Sequence, residues 1–210
     1  MTHLVMTIDQ RRSRRGPDLV EDLLERLHDR ELGKDVVLPF ERTAGDEVQG
    51  LLSSPQAVVD LALLLAESRA WSIGIGVGEV RQPLPSSTRA AGGPAFENAR
   101  DAVERAKSVA EGIAVTGPEP VSAGDAEAVL QMLAAVILRR SEAGRQTVDL
   151  ARTGLRQHEA AERLGISKQA VSQRLQTAFW NHERRVRPVA ARLLDRASAS
   201  DGSDRSSPSP

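Results

Sequence analysis

The chain has 210 residues, of which 40% are hydrophobic and 27% are charged. This is a globular composition with room for one large or two small domains. There is no cysteine, and the four histidines are scattered, which excludes disulfides and zinc-thiolate sites. The longest apolar run, Met132 to Leu138, is too short for a membrane span, and no signal-peptide pattern opens the chain. We therefore expect a soluble, cytoplasmic protein with no membrane partner.

Charge is distributed unevenly along the chain. Residues 1–138 carry 14 Lys or Arg against 21 Asp or Glu, whereas residues 139–196 carry 13 against 6. An acidic region therefore precedes a basic one, and only the basic one suits phosphate binding. Aromatic residues make up 2% of the chain, too few for a platform that stacks unpaired bases. Any nucleic acid partner is expected to be duplex DNA.

Hydrophobic periodicity in the acidic region alternates between strand and helix patterns. The predicted elements, in chain order, are a strand at 3–8, a helix at 19–32, strands at 35–40 and 43–52 that form a hairpin with its tip at 44–46, a helix at 55–66, a strand at 71–80, a helix at 96–109 and a strand at 112–116. This order predicts an α+β fold with a split βαβ sheet of the ferredoxin-like or palm-like type.

A right-handed crossover would make the first two strands parallel, with the third between them. The hairpin tip then lies beside the carboxyl end of the first strand, which brings Asp9 and Asp46 together. Two carboxylates repel unless a cation separates them, and oxygen ligands suit Mg²⁺ or Mn²⁺. The arginines of 11–15 offer another solution, because they could neutralise both carboxylates or bind a phosphorylated ligand. Asp9 and Asp46 could also be only a helix cap and a turn residue.

A long helix is predicted from a cap at 122–125 to about Ser141. It is apolar on nearly every side, so we expect it to be buried, either between two modules or in the interface of a homodimer.

The basic region contains the most specific local pattern, residues 157–175, which predicts helix, tight turn, helix. Gly165 supplies the turn, Ser167 caps the second helix, and apolar residues at 164, 166, 171 and 175 form a small core. The pattern resembles the helix-turn-helix of LuxR-type regulators and of sigma-factor region four. The resemblance implies duplex DNA binding in the major groove by the second helix and the basic segment after it, through Ser167, Lys168, Gln169, Ser172, Gln173, Arg174, Arg184 and Arg185. Phe179 and Trp180 are expected to pack the following helix onto this bundle. An ordinary helical hairpin with a charged surface is the alternative.

Three segments of the acidic region, 43–52, 73–80 and 92–102, together with Ile8-Asp9 and Ser13-Arg14, resemble the SatD family of bacterial proteins, usually described as DNA-binding or regulatory. More distantly they are similar to the palm domain of class III nucleotide cyclases and GGDEF proteins. That likeness implies Asp9 and Asp46 as metal ligands, Ser13 and Arg14 at a phosphate, and Mg²⁺ with a nucleotide as cofactor. Glu97 and Asp101 stand where cyclases carry Asn and Arg, which argues against cyclase catalysis.

These observations predict a SatD-like α+β domain at 1–120, a linking helix at 121–143, a helix-turn-helix domain at 144–196 and a disordered tail at 197–210. The favoured function is DNA-binding transcription regulation, with an N-terminal domain that senses a nucleotide or metal. A Mg²⁺-dependent nucleotide-processing enzyme and a protein-interaction adaptor are the alternatives.

Overall fold

The computed structural model describes residues 3–13, 16–28 and 33–198. Over these residues the chain is a mixed α+β protein with a five-stranded mixed sheet and eight α-helices. The strands are β1 (His3–Gln10), β2 (Val36–Arg42), β3 (Glu47–Leu52), β4 (Trp71–Gly78) and β5 (Ile113–Thr116). The helices are α1 (Val20–His28), α2 (Pro55–Glu67), α3 (Pro94–Ala106), α4 (Pro120–Leu138), α5 (Glu142–Arg152), α6 (Gln157–Leu164), α7 (Lys168–Thr177) and α8 (Trp180–Arg196).

The strands lie in the order β2-β3-β1-β4-β5. β1 is at the centre and pairs antiparallel with both β3 and β4, whereas β4 and β5 are parallel. Asp9 lies opposite Glu47, and the backbone N–H of Gln10 donates to the carbonyl oxygen of Asp46 at 3.3 Å. The β2–β3 hairpin tip therefore lies at the carboxyl end of β1.

The two faces of the sheet are covered differently. One face forms the main core with α1, α2, α4 and the second half of α8. The other face carries α3, which lies directly on Gly74 and Gly76 of β4. A Cβ atom at Gly76 would overlap the carbonyl oxygen of Ala95 and the backbone nitrogen of Ala99. The glycines between the apolar residues of β4 thus allow a helix backbone to contact the sheet closely.

Helix α4 differs from the expectation in three respects. It begins at Pro120, where the Glu119 carboxylate accepts the N–H groups of Val121 and Ser122, and it ends at Leu138. Ser141 instead caps α5. Only one side of α4 is buried, since the side chains of Val121 and Met132 are 71% and 67% exposed. The prediction of a helix buried on nearly every side was therefore wrong: α2, α8 and β5 cover one side of α4, and the apolar side chains on the other side stay exposed.

Within the described residues, α4 is the one helix long and apolar enough to cross a membrane by length and composition. It packs against α2, α8 and β5, and 33% of its apolar window is buried. Length and composition alone are weak grounds for a span, because core helices of soluble proteins meet the same criteria.

The C-terminal helices form a small second core that is tied to the first. Val148, Val171, Leu175 and Trp180 are among its buried residues. Helix α8 leaves this core and inserts Ala190 and Leu194 into the main one, against α2 and α4. Ala197, in the segment expected to begin the tail, is also buried there, and residues 199–210 lie outside the described part of the chain.

Candidate functional site

Helices α6 and α7 are joined by a tight turn at Gly165, whose φ of +64° is in the left-handed region that favours glycine. Ser167 follows as the cap of α7, and its Oγ accepts the N–H of Ala170 at 3.1 Å. Val171 and Leu175 are buried in the small core. Each of these features follows from the local sequence. Leu164, expected in this core, is only half-buried and does not join it.

The opposite side of α7 is open to solvent. The exposed members of the predicted DNA-contacting set on this helix are Ser167, Lys168, Gln169, Ser172 and Gln173. Lys168 and Ser172 are four residues apart, as are Gln169 and Gln173, so these side chains form one continuous polar strip along the helix. No Asp or Glu occurs between Gly165 and His182. The strip is therefore rich in hydrogen-bond donors and free of carboxylates from its own segment.

Arg174 is half-buried and leaves this strip. It lies in a cleft of about 360 Å³ between α7 and the start of α5, together with Arg139, Ser141 and Gln173. Arg140 also lines the cleft but is paired with Glu183, so the guanidinium groups of Arg139 and Arg174 are the two that suit a phosphate oxygen. Arg139 was missed by sequence reasoning because it was placed inside the predicted long helix, and the only signal available was Ser141, which can cap a new helix.

The basic residues after α7 divide into two groups. Arg184 and Arg185 are exposed, and the Arg184 guanidinium carbon lies 5.8 Å from the centre of the Trp180 ring. Arg187, in the same basic segment, instead forms ion pairs with Glu183 and Asp60. Trp180 packs in the small core as predicted, but Phe179 is 52% exposed and contacts the His182 ring, so its predicted packing role was wrong.

A buried ion cluster holds α7 and α8 against the sheet domain. Glu183 is completely buried and pairs with Arg140, Arg152 and Arg187. The same arginines reach α2, where Arg187 pairs with Asp60 at 2.5 Å and Arg152 pairs with Glu67 at 3.0 Å.

The cluster also sets the charge state of Glu183 and the position of α7. Burial acts to raise the pKa of Glu183, but hydrogen bonds and charges from Arg140 and Arg187 outweigh it and hold the pKa below its ordinary value. Arg140 Nε donates to the Ala178 carbonyl at 3.0 Å, which fixes the carboxyl end of α7. Arg140 thus links the end of α7 to the buried ion cluster. The partners in this cluster are far apart in the chain, so the sequence alone did not identify them.

On the sheet domain, the structure brings Asp9 and Asp46 close enough to interact electrostatically. The cation beside Asp9 is Lys107, whose Nζ lies 3.2 Å from the Asp9 carboxylate. Burial raises the pKa of Asp9, partly offset by Lys107, and the charge of Asp46 adds to the rise. Among the described residues, no three His, Asp or Glu side chains are grouped to hold a metal ion. Two carboxylates, one already paired with an ammonium group, fit a resident Mg²⁺ poorly.

The arginines after β1 have separate roles. Arg11 donates to the carbonyls of Ala106, Val109 and Ala110, so it caps the end of α3. Arg12 is exposed and lines a cavity of about 670 Å³ with Asp9 and Lys107. Of the two predicted phosphate ligands, Ser13 is half-buried, with its carbonyl accepting from Gly16, and Arg14 lies outside the described residues.

Comparison with known proteins adds no further assignment. No family model, no curated protein and no solved structure matches the chain. The function is therefore argued from the geometry of α7 and of the cavities on the sheet domain.

Proposed function

We propose that this protein is a DNA-binding transcription regulator of the SatD type, whose α6–α7 unit is a helix-turn-helix with α7 in the major groove. The observation that carries the proposal is the solvent-facing polar strip of α7, which begins at the Ser167 cap and contains no carboxylate. Gln169 and Gln173 carry amide groups that can pair with adenine edges, and Lys168 can reach guanine or phosphate. Their positions near the start of the helix suit a helix that enters the groove by its N-terminal half.

Phosphate contacts would fix the position of α7 on the duplex. Arg139 and Arg174 share the cleft beside the strip, and Arg184 and Arg185 extend the positive surface along α8. Contacts of this type carry no sequence information but supply much of the affinity, and they make it strongly salt-dependent. Binding is therefore expected to weaken steeply as salt is raised.

The remaining parts of the proposal concern the fold, the assembly and the compartment. The order β2-β3-β1-β4 with a central β1 supports a split βαβ assignment for the sheet domain. A homodimer on a two-fold DNA site is part of the proposal, and the exposed apolar side chains of Val121 and Met132 on α4 support it. A cytoplasmic location follows from the DNA partner.

Substitutions on α7 test the proposal directly. Gln173→Ala should weaken binding to a specific duplex by about 1 to 3 kcal/mol, because this amide reads a base edge. Arg174→Ala should weaken binding to every duplex and lower its salt dependence, because this guanidinium contacts a phosphate. Arg26→Ala, an exposed arginine on α1, removes the same charge far from α7 and should bind as the wild type does. Fluorescence anisotropy with a labelled duplex measures the affinity of each variant and of the wild type. Normal binding by both α7 variants overturns the proposal, and the absence of any salt-dependent duplex binding would favour a protein-interaction adaptor.

A Mg²⁺-dependent nucleotide-processing enzyme is the second candidate, because Asp9 lines the 670 Å³ cavity and lies close enough to Asp46 to feel its charge. Lys107 argues against it, since its ammonium group takes the position beside Asp9 that a metal would need. Incubation with nucleoside triphosphates and Mg²⁺ tests it. Turnover that Asp9→Asn abolishes would establish the enzyme, and no turnover by the wild type removes it.

A further inference from the structure

The sheet domain has a second cavity that is lined by charged side chains. A cavity of about 550 Å³ lies on the α3 side of the sheet, between the β2–β3 hairpin and the first half of α3. Its volume is in the range of ordinary small-molecule sites. Neither α7 nor Asp9 lines it, so it is separate from both sites discussed above.

Distant segments of the chain meet at this cavity. Strand β3 contributes Glu47 and Gln49, α3 contributes Glu97 and Arg100, and the segment between β4 and α3 contributes Arg81 and Arg89. The first two groups belong to segments 43–52 and 92–102, which the sequence singled out and which the proposed DNA binding leaves unexplained. The topology therefore gathers these segments into one place.

The backbone that carries the arginines is held in position. Arg81 N–H donates to the Gly92 carbonyl at 2.8 Å, and Gly93 has a φ of +125°. A Cβ at Gly93 would lie 2.9 Å from the Arg81 nitrogen, so the close approach of the two loops requires glycine. Near Arg89, the Glu41 carboxylate accepts the Ser87 hydroxyl at 2.7 Å and the Arg89 N–H at 3.1 Å.

Of the three arginines, Arg89 has a carboxylate nearby, since the Ser87 hydroxyl and the charge of Arg89 help to hold the pKa of Glu41 below its ordinary value. Within the described part of the chain, Arg81, Arg89 and Arg100 take part in no ion pair, in contrast to Arg105 further along α3, which pairs with Asp101 and Glu127. All three are exposed, so their guanidinium groups are available to a ligand. Guanidinium groups bind phosphate oxygens in a bidentate manner, which makes a cluster of three a phosphate site rather than a metal or cation site.

The cavity also contains acceptors. The Glu47 carboxylate receives one hydrogen bond, from the Thr43 hydroxyl at 2.6 Å, and has a second oxygen to offer. Glu97 is exposed on the first turn of α3, and Gln49 is buried with its amide donating to Thr7 at 2.9 Å. Carboxylates this close to a phosphate site suit hydroxyl or amino groups elsewhere on the same ligand.

We propose that the cavity between β3 and α3 binds a small phosphorylated molecule that also carries hydroxyl or amino groups, with Arg81, Arg89 and Arg100 on the phosphate. Sugar phosphates and nucleoside monophosphates share this chemistry. The proposal does not depend on DNA binding by α7, because all the residues that carry it lie in the sheet domain.

Isothermal titration calorimetry on the full chain without DNA tests it. The probes are inorganic phosphate, ribose 5-phosphate and adenosine monophosphate, with ribose and adenosine as phosphate-free controls. At least one organic phosphate should bind with a Kd below about 1 mM, and its phosphate-free counterpart should bind at least about tenfold more weakly. The comparison of ribose 5-phosphate with adenosine monophosphate shows whether the cavity prefers a sugar phosphate or a nucleoside monophosphate.

Variants locate the site. Arg81→Gln and Arg100→Gln should each weaken that binding by about tenfold or more, whereas Arg26→Gln makes the same charge change on α1 and should leave it unchanged. Both cavity residues are exposed, so their loss is expected to leave the thermal unfolding temperature close to that of the wild type. The proposal is overturned if neither organic phosphate binds, if the phosphate-free controls bind equally well, or if both cavity variants bind as the wild type does.

Discussion

Arg140 and Glu183 form an ion pair in which both side chains are buried, at 1% and 0% exposure. Arg140 follows α4, and Glu183 lies in the first turn of α8, so this pair joins the sheet domain to the helices that carry α7. A buried pair costs desolvation energy, which its geometry and further hydrogen bonds must offset. Here the further partners are Arg152 and Arg187, which extend the cluster to α2.

Glu183→Gln is expected to destabilise the protein by about 3 to 5 kcal/mol, because it leaves three buried or half-buried guanidinium groups without their common carboxylate. Chemical denaturation measures the free energy of unfolding. Glu142→Gln is the matched control, since Glu142 pairs with Arg145 at the surface, where its side chain is 68% exposed and solvent screens the charge. Equal stability of the two variants would show that the buried cluster does not hold the helices in place.

Asp9→Asn is expected to change how stability depends on pH. Burial raises the pKa of Asp9 above 3.8, so the folded state holds its proton more tightly than the unfolded state does. The wild type should therefore lose stability relative to Asp9→Asn as the pH rises through that raised pKa, and the difference should be smallest in acid. Unfolding curves between about pH 4 and pH 8 measure it. A difference that is constant or of opposite sign would contradict the assigned environment of Asp9.

Gly76→Ala is expected to disrupt the sheet domain, because the added methyl group would overlap the backbone of α3 at Ala95 and Ala99. Overpacking of this kind usually costs about 1 to 3 kcal/mol and more when backbone must move. Gly124→Ala is the control: this glycine lies inside α4 with open space around it, so alanine should stabilise the helix by about 0.5 to 1 kcal/mol. Thermal unfolding compares both variants with the wild type, and a harmless Gly76→Ala would contradict the close contact of α3 with β4.

Gly165→Ala is expected to cost about 1 to 2 kcal/mol, because the φ of +64° disfavours a Cβ. No atom lies within 4 Å of the position of that Cβ, so the cost comes from backbone conformation and not from crowding. Gly165→Asn should be better tolerated, because asparagine adopts this conformation more readily. Unfolding free energies measure both. If alanine and asparagine are equally harmful, the turn is limited by something other than φ.

Much of the fold could be predicted from the sequence, because it is encoded by local patterns. The order of strands and helices in the first 116 residues follows from periodicity, and Gly165 and Ser167 identify the α6–α7 turn directly. The end of α4 was misplaced because Arg139 and Arg140 contain no helix breaker, and Ser141 can end one helix or cap the next.

The sequence could not show which side chains, distant in the chain, contact each other in the folded protein. Arg185 and Arg187 are two residues apart on α8, yet the first is exposed and the second is paired with Asp60, 127 positions away. Lys107 beside Asp9 is a similar case, since strand β1 and the end of α3 meet only in the folded sheet. The cavity between β3 and α3 was missed for the same reason. Its side chains come from three separate segments of the chain, and no sequence periodicity links them.

Selection of bound sequences from a random pool of DNA duplexes, at about 50 and 200 mM salt, tests the central claim most directly. The account predicts an enriched sequence with two-fold symmetry, weaker binding at the higher salt, and a lost preference at the positions that Gln173 contacts when that residue is replaced by alanine. Addition of Mg²⁺ and nucleoside triphosphate to the same selection tests whether the sheet domain acts as a sensor. The absence of any enriched sequence, with binding that does not respond to salt, would contradict the assignment of α7 as a DNA-reading helix.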